Sequence, residues 1–165
     1  RPLLLGGPQE RGRRGGTENV PGIVGSGKAA ELAKDALVTD MPRVKAMRDR
    51  LESTILETIA DTHVNGHRVH RTPNTSNISF AQLQSEAILL LLSEQGICAS
   101  AGAACSSGSL EPSHVMRAMK VPDAIAHGAI RFSLGRYNTE EDVDYCLKVL
   151  PGIINKLRAV LPVGV

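Results

Sequence analysis

Two helical stripes and two alternating runs dominate the hydrophobic pattern. Val44, Met47, Leu51, Ile55 and Ile59 recur at three or four residues, one face of a helix. Val143, Leu147, Leu150, Ile154, Leu157 and Leu161 repeat that spacing near the C-terminus, and Pro151 is expected to kink or split the helix they form. Ile78 and Phe80 alternate with polar neighbours, so Thr75 to Phe80 reads as a strand. Ala129 to Leu134 reads as another, with Arg131 on the opposite face from Ile130 and Phe132.

The weaker elements follow from caps and turns. Asn19 can cap a helix over about 20–38, with Pro21 tolerated in its first turn. Gly22, Gly25, Gly27, Ala29 and Ala30 suggest close packing of that helix against another element. Thr39-Asp40-Met41-Pro42 restarts a helix to about 60, and Asn65-Gly66 is a turn signal. Ser85 can cap a short helix stopped near Gly96, and Ile97-Cys98-Ala99 reads as a short strand. Pro112-Ser113 begins a helical turn to about Met119, and the last helix starts near Thr139. The sum is α+β: three or four short, mostly antiparallel strands with helices on one face.

Composition narrows the class. The 165 residues suit one core, and with 2% aromatic content aliphatic side chains must build it. A net charge of +2 gives no reason to invoke nucleic acid or a membrane surface. No run approaches the roughly 18 apolar residues that span a bilayer. The apolar start, Leu3-Leu4-Leu5, is too short for a signal peptide. Three cysteines at unpatterned spacings do not read as a disulfide framework, so a reducing cytoplasm is expected. The chain does not open on Met and is expected to be a piece of a longer one.

Three constellations carry candidate chemistry. The first is Ala99-Ser100-Ala101-Gly102-Ala103-Ala104-Cys105-Ser106-Ser107-Gly108-Ser109, one cysteine among ten small residues. Small side chains neither anchor a loop nor shield a thiol, so Cys105 is expected to be reachable on a mobile loop. A residue near the middle of such a loop could swing on the order of 15 Å while both ends stay fixed, which suits a carrier. A spectator thiol is the other reading. The second is the Gly/Arg stretch over residues 6–19, with five glycines and three arginines before a helix start. It can approach an anion, with Thr17 as a hydroxyl donor to phosphate, or it is a solvated loop. The third is Arg131, which can grip a carboxylate bidentately or pair with a local acid.

Other candidates are weaker. Cys98 and Cys146 read as core residues. His63, His67 and His70 lack partners at ligand spacing, so no intrinsic metal site is expected. His114 and His127 can each approach Cys105. Glu140-Glu141-Asp142 favours a helix N-terminus.

These residues also carry a resemblance. Ser100 to Val115, reading Ser-Ala-Gly-Ala-Ala-Cys-Ser-Ser-Gly-Ser-Leu-Glu-Pro-Ser-His-Val, resembles the active-site cysteine segment of cysteine desulfurases of the nitrogen-fixation and general iron–sulfur branches. Gly7 to Asn19 resembles that family's cofactor-adjacent loop, and Ala126 to Tyr137 its substrate-carboxylate strand. The three occur in the family's order across nearly the whole chain, and Val115 to Met119 leans towards the nitrogen-fixation type.

The resemblance implies a homodimeric fold-type I pyridoxal phosphate enzyme of the class V aminotransferase kind. It would convert L-cysteine to L-alanine and leave the sulfur on Cys105 as a persulfide for an iron–sulfur scaffold protein. Through that persulfide Cys105 could share an iron–sulfur cluster. Thr17 would donate to the cofactor phosphate across the dimer interface, and Arg131 would hold the substrate carboxylate. The family's Schiff-base lysine lies in a Ser-x-His-Lys-type segment upstream of the Gly/Arg loop, and no such segment occurs here. Lys28, Lys34, Lys45, Lys120, Lys148 and Lys156 stand in other contexts. The resemblance therefore implies residues 1–40 as the cofactor-adjacent loop and connecting helix to a large domain. Residues 41–165 would be the small C-terminal domain, with the cysteine loop at 100–111. Alone, this chain is expected to be inactive. The alternatives are a selenocysteine lyase or related class V enzyme, and a non-catalytic module that binds the scaffold or accepts sulfur.

Overall fold

A computed structural model describes residues 2–102 and 113–160. The chain divides into two compact units, Arg1–Thr39 and Asp40–Val165.

In the first unit, β1 (Pro8–Gln9) and β2 (Arg14–Gly15) form a small antiparallel ribbon around a 3-10 turn at Glu10–Gly12. Glu10, Arg11 and Gly12 all have positive φ, which closes the ribbon tightly. Gly15 is forced: a Cβ there would lie 2.5 Å from the Gly6 nitrogen. Helix α1 (Val20–Thr58) then begins. Asn19 caps it as expected, its Oδ1 accepting from the Gly22 N–H at 3.1 Å. A Cβ on Gly22 would sit 2.6 Å from Asn19 Nδ2, so that glycine makes room for its own cap. Along this glycine-rich stretch Gly25 and Gly27 face open space, and Val20, Ile23, Val24, Leu32, Leu37 and Val38 are exposed.

The expected restart at Thr39 does not occur, and α1 runs through Pro42. Pro42 cannot donate to the Val38 carbonyl, but Val38 is 80% exposed and water can satisfy that group.

The second unit holds the core. Strands β3 (Thr62–Val64), β4 (Thr75–Phe80) and β5 (Ala129–Ser133) form an antiparallel sheet with β4 in the middle. Pairing of Ile78 with Ile130 and of Ser76 with Phe132 sets the register between β4 and β5. One face presents Ile78, Phe80, Ile130 and Phe132. These pack with Val44, Met47, Leu51 and Ile55 of α1, Ile88 and Leu92 of α2 (Ser85–Glu94), and Val143, Leu150 and Ile154 of α5 (Glu140–Val160). Two short helices, α3 (His114–Ala118) and α4 (Asp123–Ala126), place Met116 and Ala126 beside Ala129 in a small satellite cluster.

Several local readings shift. Strand β3 was not evident in sequence. Residues 97–99 form no strand, and only Ser100 bridges to Arg131. Ser85 does not cap α2: Gln84 precedes the helix, and the Ser85 N–H donates to the His127 carbonyl at 2.9 Å. Pro151 does not split α5. Thr139 and Asp142 do cap that helix reciprocally. The Thr139 N–H donates to Asp142 Oδ2 at 3.0 Å and the Asp142 N–H to Thr139 Oγ1 at 3.4 Å.

The least expected feature is charged and buried. Glu52 and Arg48, one turn apart on α1, are 3% and 2% exposed. Arg71 grips Glu52 with two hydrogen bonds of 2.6 and 2.8 Å, and the Ser76 hydroxyl donates to it at 2.5 Å. Arg48 donates to the Thr75 carbonyl at 3.3 Å. Its Nε lies 2.9 Å from Asp49 Oδ1 without the alignment of a hydrogen bond. Burial pushes the Glu52 carboxyl upward, but the hydrogen bonds from Arg71 and Ser76 and the nearby Arg71 and Arg48 charges more than offset it. The net result lies below the ordinary value.

Gly128 is the second fixed point. A Cβ there would fall 2.0 Å from the Phe80 carbonyl oxygen, which leaves no space for any side chain between α4 and the end of β4.

Two outcomes follow. Glu52→Ala leaves the largely buried Arg71 guanidinium and the Ser76 hydroxyl without their partner and should lower unfolding free energy by about 3–5 kcal/mol in denaturant titrations. In the unsubstituted chain the Glu52 contribution is complete above its ordinary pKa of 4.5 and fades as pH falls through the lowered folded value, a loss the alanine variant should not show. Gly128→Ala must displace backbone and should cost at least about 1–3 kcal/mol in the same titration.

Candidate functional site

The site lies in the second unit, on the sheet face turned away from the core. Alternation along β5 buries Ile130 and Phe132 and leaves Arg131 and Ser133 exposed, as the sequence reading expected for Arg131. Register then supplies neighbours. Asn77 is the cross-strand partner of Arg131 on β4. On the other side, Arg131 exchanges two backbone hydrogen bonds with Ser100, donating at 2.7 Å and accepting at 3.2 Å. Beyond Asn77, the Asn65 N–H donates to the Asn77 carbonyl at 2.9 Å. Asn65, Asn77, Arg131 and Ser100 therefore form one polar row across the sheet.

The row is joined by side chains as well. Asn65 Nδ2 donates to Asn77 Oδ1 and to Ser79 Oγ, each at 2.7 Å. Among the described residues the Arg131 guanidinium has no ion pair or hydrogen bond. By contrast, two partly buried arginines are engaged: Arg71 with Glu52, and Arg50 with Asp144 at 2.6 Å and Glu140 at 2.7 Å. An exposed, unpaired guanidinium with its donor fork open can bind a planar anion bidentately.

Ser100 leads into the cysteine segment. Gly102 has φ +59, and a Cβ on it would lie 3.2 Å from the Ser113 Cβ, so residues 102 and 113 stand side by side. Ser113 caps α3 by accepting from the Val115 N–H at 3.3 Å. Cys105 itself lies outside the described residues. The described residues that flank it, Gly102 and Ser113, are adjacent, and Gly102 is two residues from Ser100, the bridge partner of Arg131.

The other candidates fall in place as follows. Thr17, in the first unit, is exposed, and its carbonyl accepts from Arg14 at 3.4 Å. Cys98 is exposed rather than core: with no strand over 97–99, nothing turns its side chain inward. Cys146 is buried as expected, and desolvation pushes its thiol up to about 11, so it stays protonated at neutral pH. The His67 and His70 rings lie tilted against each other with centroids 4.7 Å apart, and among the described residues no cluster of ligands could hold a metal. His114 is exposed at the start of α3, and His127 is half-buried. Among the described residues no helix is long and apolar enough to cross a membrane. Asn77 and Asn65 were not singled out from sequence, because only the strand register brings them to Arg131.

The pattern of the class V aminotransferase family matches residues 7–146. A cysteine desulfurase of Gluconacetobacter diazotrophicus is 59% identical over 162 residues, covering 98% of this chain and 40% of that protein. The cysteine desulfurase NifS of Azotobacter vinelandii is 54% identical over the same length, with the same coverage. A solved NifS-like protein superposes with a TM-score of 0.81 at 40% identity, over 95% of this chain and 39% of that one. The chain thus spans about two fifths of the length of the curated relatives it matches. With the match running from the ribbon of the first unit into α5, the chain belongs to the class V aminotransferase family.

Proposed function

We propose that this chain is the C-terminal part of a cysteine desulfurase. The observation that carries the reading is the open guanidinium of Arg131, bridged through Ser100 to the root of the Cys105 segment. The residue that would grip an amino-acid carboxylate is thus hydrogen-bonded through its backbone to Ser100, five residues before the thiol that would receive sulfur. The similarity to curated cysteine desulfurases supports the same reading.

In the overall change, the C–S bond of L-cysteine breaks and an S–S bond to Cys105 forms. L-alanine leaves, and Cys105 carries the sulfur as a persulfide. Protons and electrons balance without a further reductant, since L-cysteine plus a thiol equals L-alanine plus a persulfide. Arg131 holds the carboxylate and so fixes the direction from which the sulfur meets the loop. The persulfide is then handed to an iron–sulfur scaffold protein, in the cytoplasm and from a homodimer.

Pyridoxal phosphate supplies the electron sink for chemistry of this class. The residues present do not by themselves make its site. All six lysines are exposed; Lys28 pairs with Glu31 at 2.9 Å and Lys45 with Asp49 at 2.6 Å. Thr17 offers one hydroxyl to a phosphate. The amine and the ring-binding groups are supplied by the remainder of the enzyme.

In the intact protein, Cys105→Ala should lower L-alanine formation by at least about 10³-fold and abolish the mass gain of one sulfur on the chain. Wild-type sulfur release from that variant would refute the reading, and turnover of L-selenocysteine with none of L-cysteine would instead assign a selenocysteine lyase. Arg131→Lys should raise KM for L-cysteine by about 10-fold or more, because an ammonium cannot reproduce the bidentate fork. Pyridoxal phosphate added to this chain alone should give no visible internal-aldimine absorbance band, and a stable band would show that one of its lysines suffices.

A further inference from the structure

We propose that Asn77 is a second recognition group for the substrate carboxylate, beside Arg131, and that Asn65 orients it. The proposal rests on the reading of Arg131 given above.

Backbone geometry brings the two side chains together. Both backbone hydrogen bonds of Arg131 go to Ser100, on the side away from β4. The Asn77 carbonyl is taken by the Asn65 N–H, on the side away from β5. Asn77 and Arg131 are therefore a non-hydrogen-bonded pair in an antiparallel ladder. In such pairs the Cα atoms approach to about 4.5 Å and the side chains come closest. Both stand on the outer face, opposite Ile78 and Ile130.

Hydrogen bonding then fixes which end of the amide faces the substrate. Asn77 Oδ1 accepts from Asn65 Nδ2 at 2.7 Å, towards β3. Asn65 is itself held, because its Nδ2 also donates to Ser79 Oγ, and Ser79 is fully buried. A planar amide with its oxygen turned to β3 carries its NH2 on the opposite side, towards β5. Among the described residues Asn77 Nδ2 has no hydrogen-bond partner.

The chemistry fits a carboxylate. Two carboxylate oxygens offer about four lone-pair sites, and a bidentate guanidinium uses two of them. A fixed NH2 beside the guanidinium can take a third. Neutrality matters as much as the donor. An aspartate in the same place would pair with Arg131 and close the site to the substrate, whereas an amide adds a donor and leaves the guanidinium open.

The test uses the intact, cofactor-loaded enzyme and steady-state L-alanine formation. Asn77→Ala should raise KM for L-cysteine by roughly 10- to 100-fold, the value of a hydrogen bond to a charged group, with kcat within about two-fold. Asn77→Asp is nearly isosteric and should raise KM further than alanine does. Asn65→Ala should raise it less than either. Equal effects of alanine and aspartate, or a fall in kcat with KM unchanged, would overturn the proposal and leave Asn77 a structural residue. Where the alanine variant does not fold, Asn77→Asp decides alone: an unchanged KM overturns the proposal. Arg131→Lys separates the two readings. If it leaves KM unchanged, the assignment of Arg131 fails. If it raises KM while Asn77→Ala does not, only the role of Asn77 fails.

Discussion

Arg71 and Ser76 both reach Glu52 on α1, and Arg48 on the same helix turn reaches the Thr75 carbonyl. Four side chains thus fix where β4 begins. The constraint matters because β4 is the central strand, and β5 takes its register from it. A slip of one residue in either pairing would exchange the two sheet faces. Arg131 would then point into an aliphatic core, and Ile130 and Phe132 into water. The buried ion pair lies far from Arg131 in sequence, yet the outward guanidinium depends on it.

Gly128 plays a matching part at the other end of β4. The Phe80 N–H donates to the Gly128 carbonyl at 3.0 Å, and the absent side chain lets the two backbones meet. The adjacent His127 carbonyl receives the first amide of α2. One short turn therefore aligns α2 and β5 with the end of β4. The sheet is held at one end by charge and at the other by close backbone contact. Between them lies the polar row that contains Arg131.

Periodicity made the long helices and β4 and β5 legible, because each presents at least two full repeats of its pattern. Strand β3 has three residues, too few for alternation to register. Ile97 to Ala99 carries strand-forming residues, but the Ile97 N–H is spent on the Leu92 carbonyl in the turn that ends α2, so only Ser100 reaches β5. Cys98 was misread for the same reason. The burial of Arg48 and Glu52 is not legible from the helix alone, because the partners of Glu52, Arg71 and Ser76, come 19 and 24 residues later. Arg131 could be placed on its face from β5 alone. Asn77 could not be brought to it without knowing how β4 and β5 are paired, and that pairing is a tertiary fact.

The adjacency of Gly102 and Ser113 sets a leash. Cys105 is three peptide units from one anchor and eight from the other, so the shorter arm alone limits it. Whatever path the chain takes, the Cys105 Cα stays within roughly 11 Å of Gly102, less than the swing available to a residue at mid-loop. Residues added beyond Cys105 would leave that radius unchanged, while each one added between Gly102 and Cys105 would extend it by up to about 3.8 Å. On the proposed reading, an acceptor of the sulfur would meet Cys105 near the rim of this domain, since chain length alone bounds its distance from Gly102.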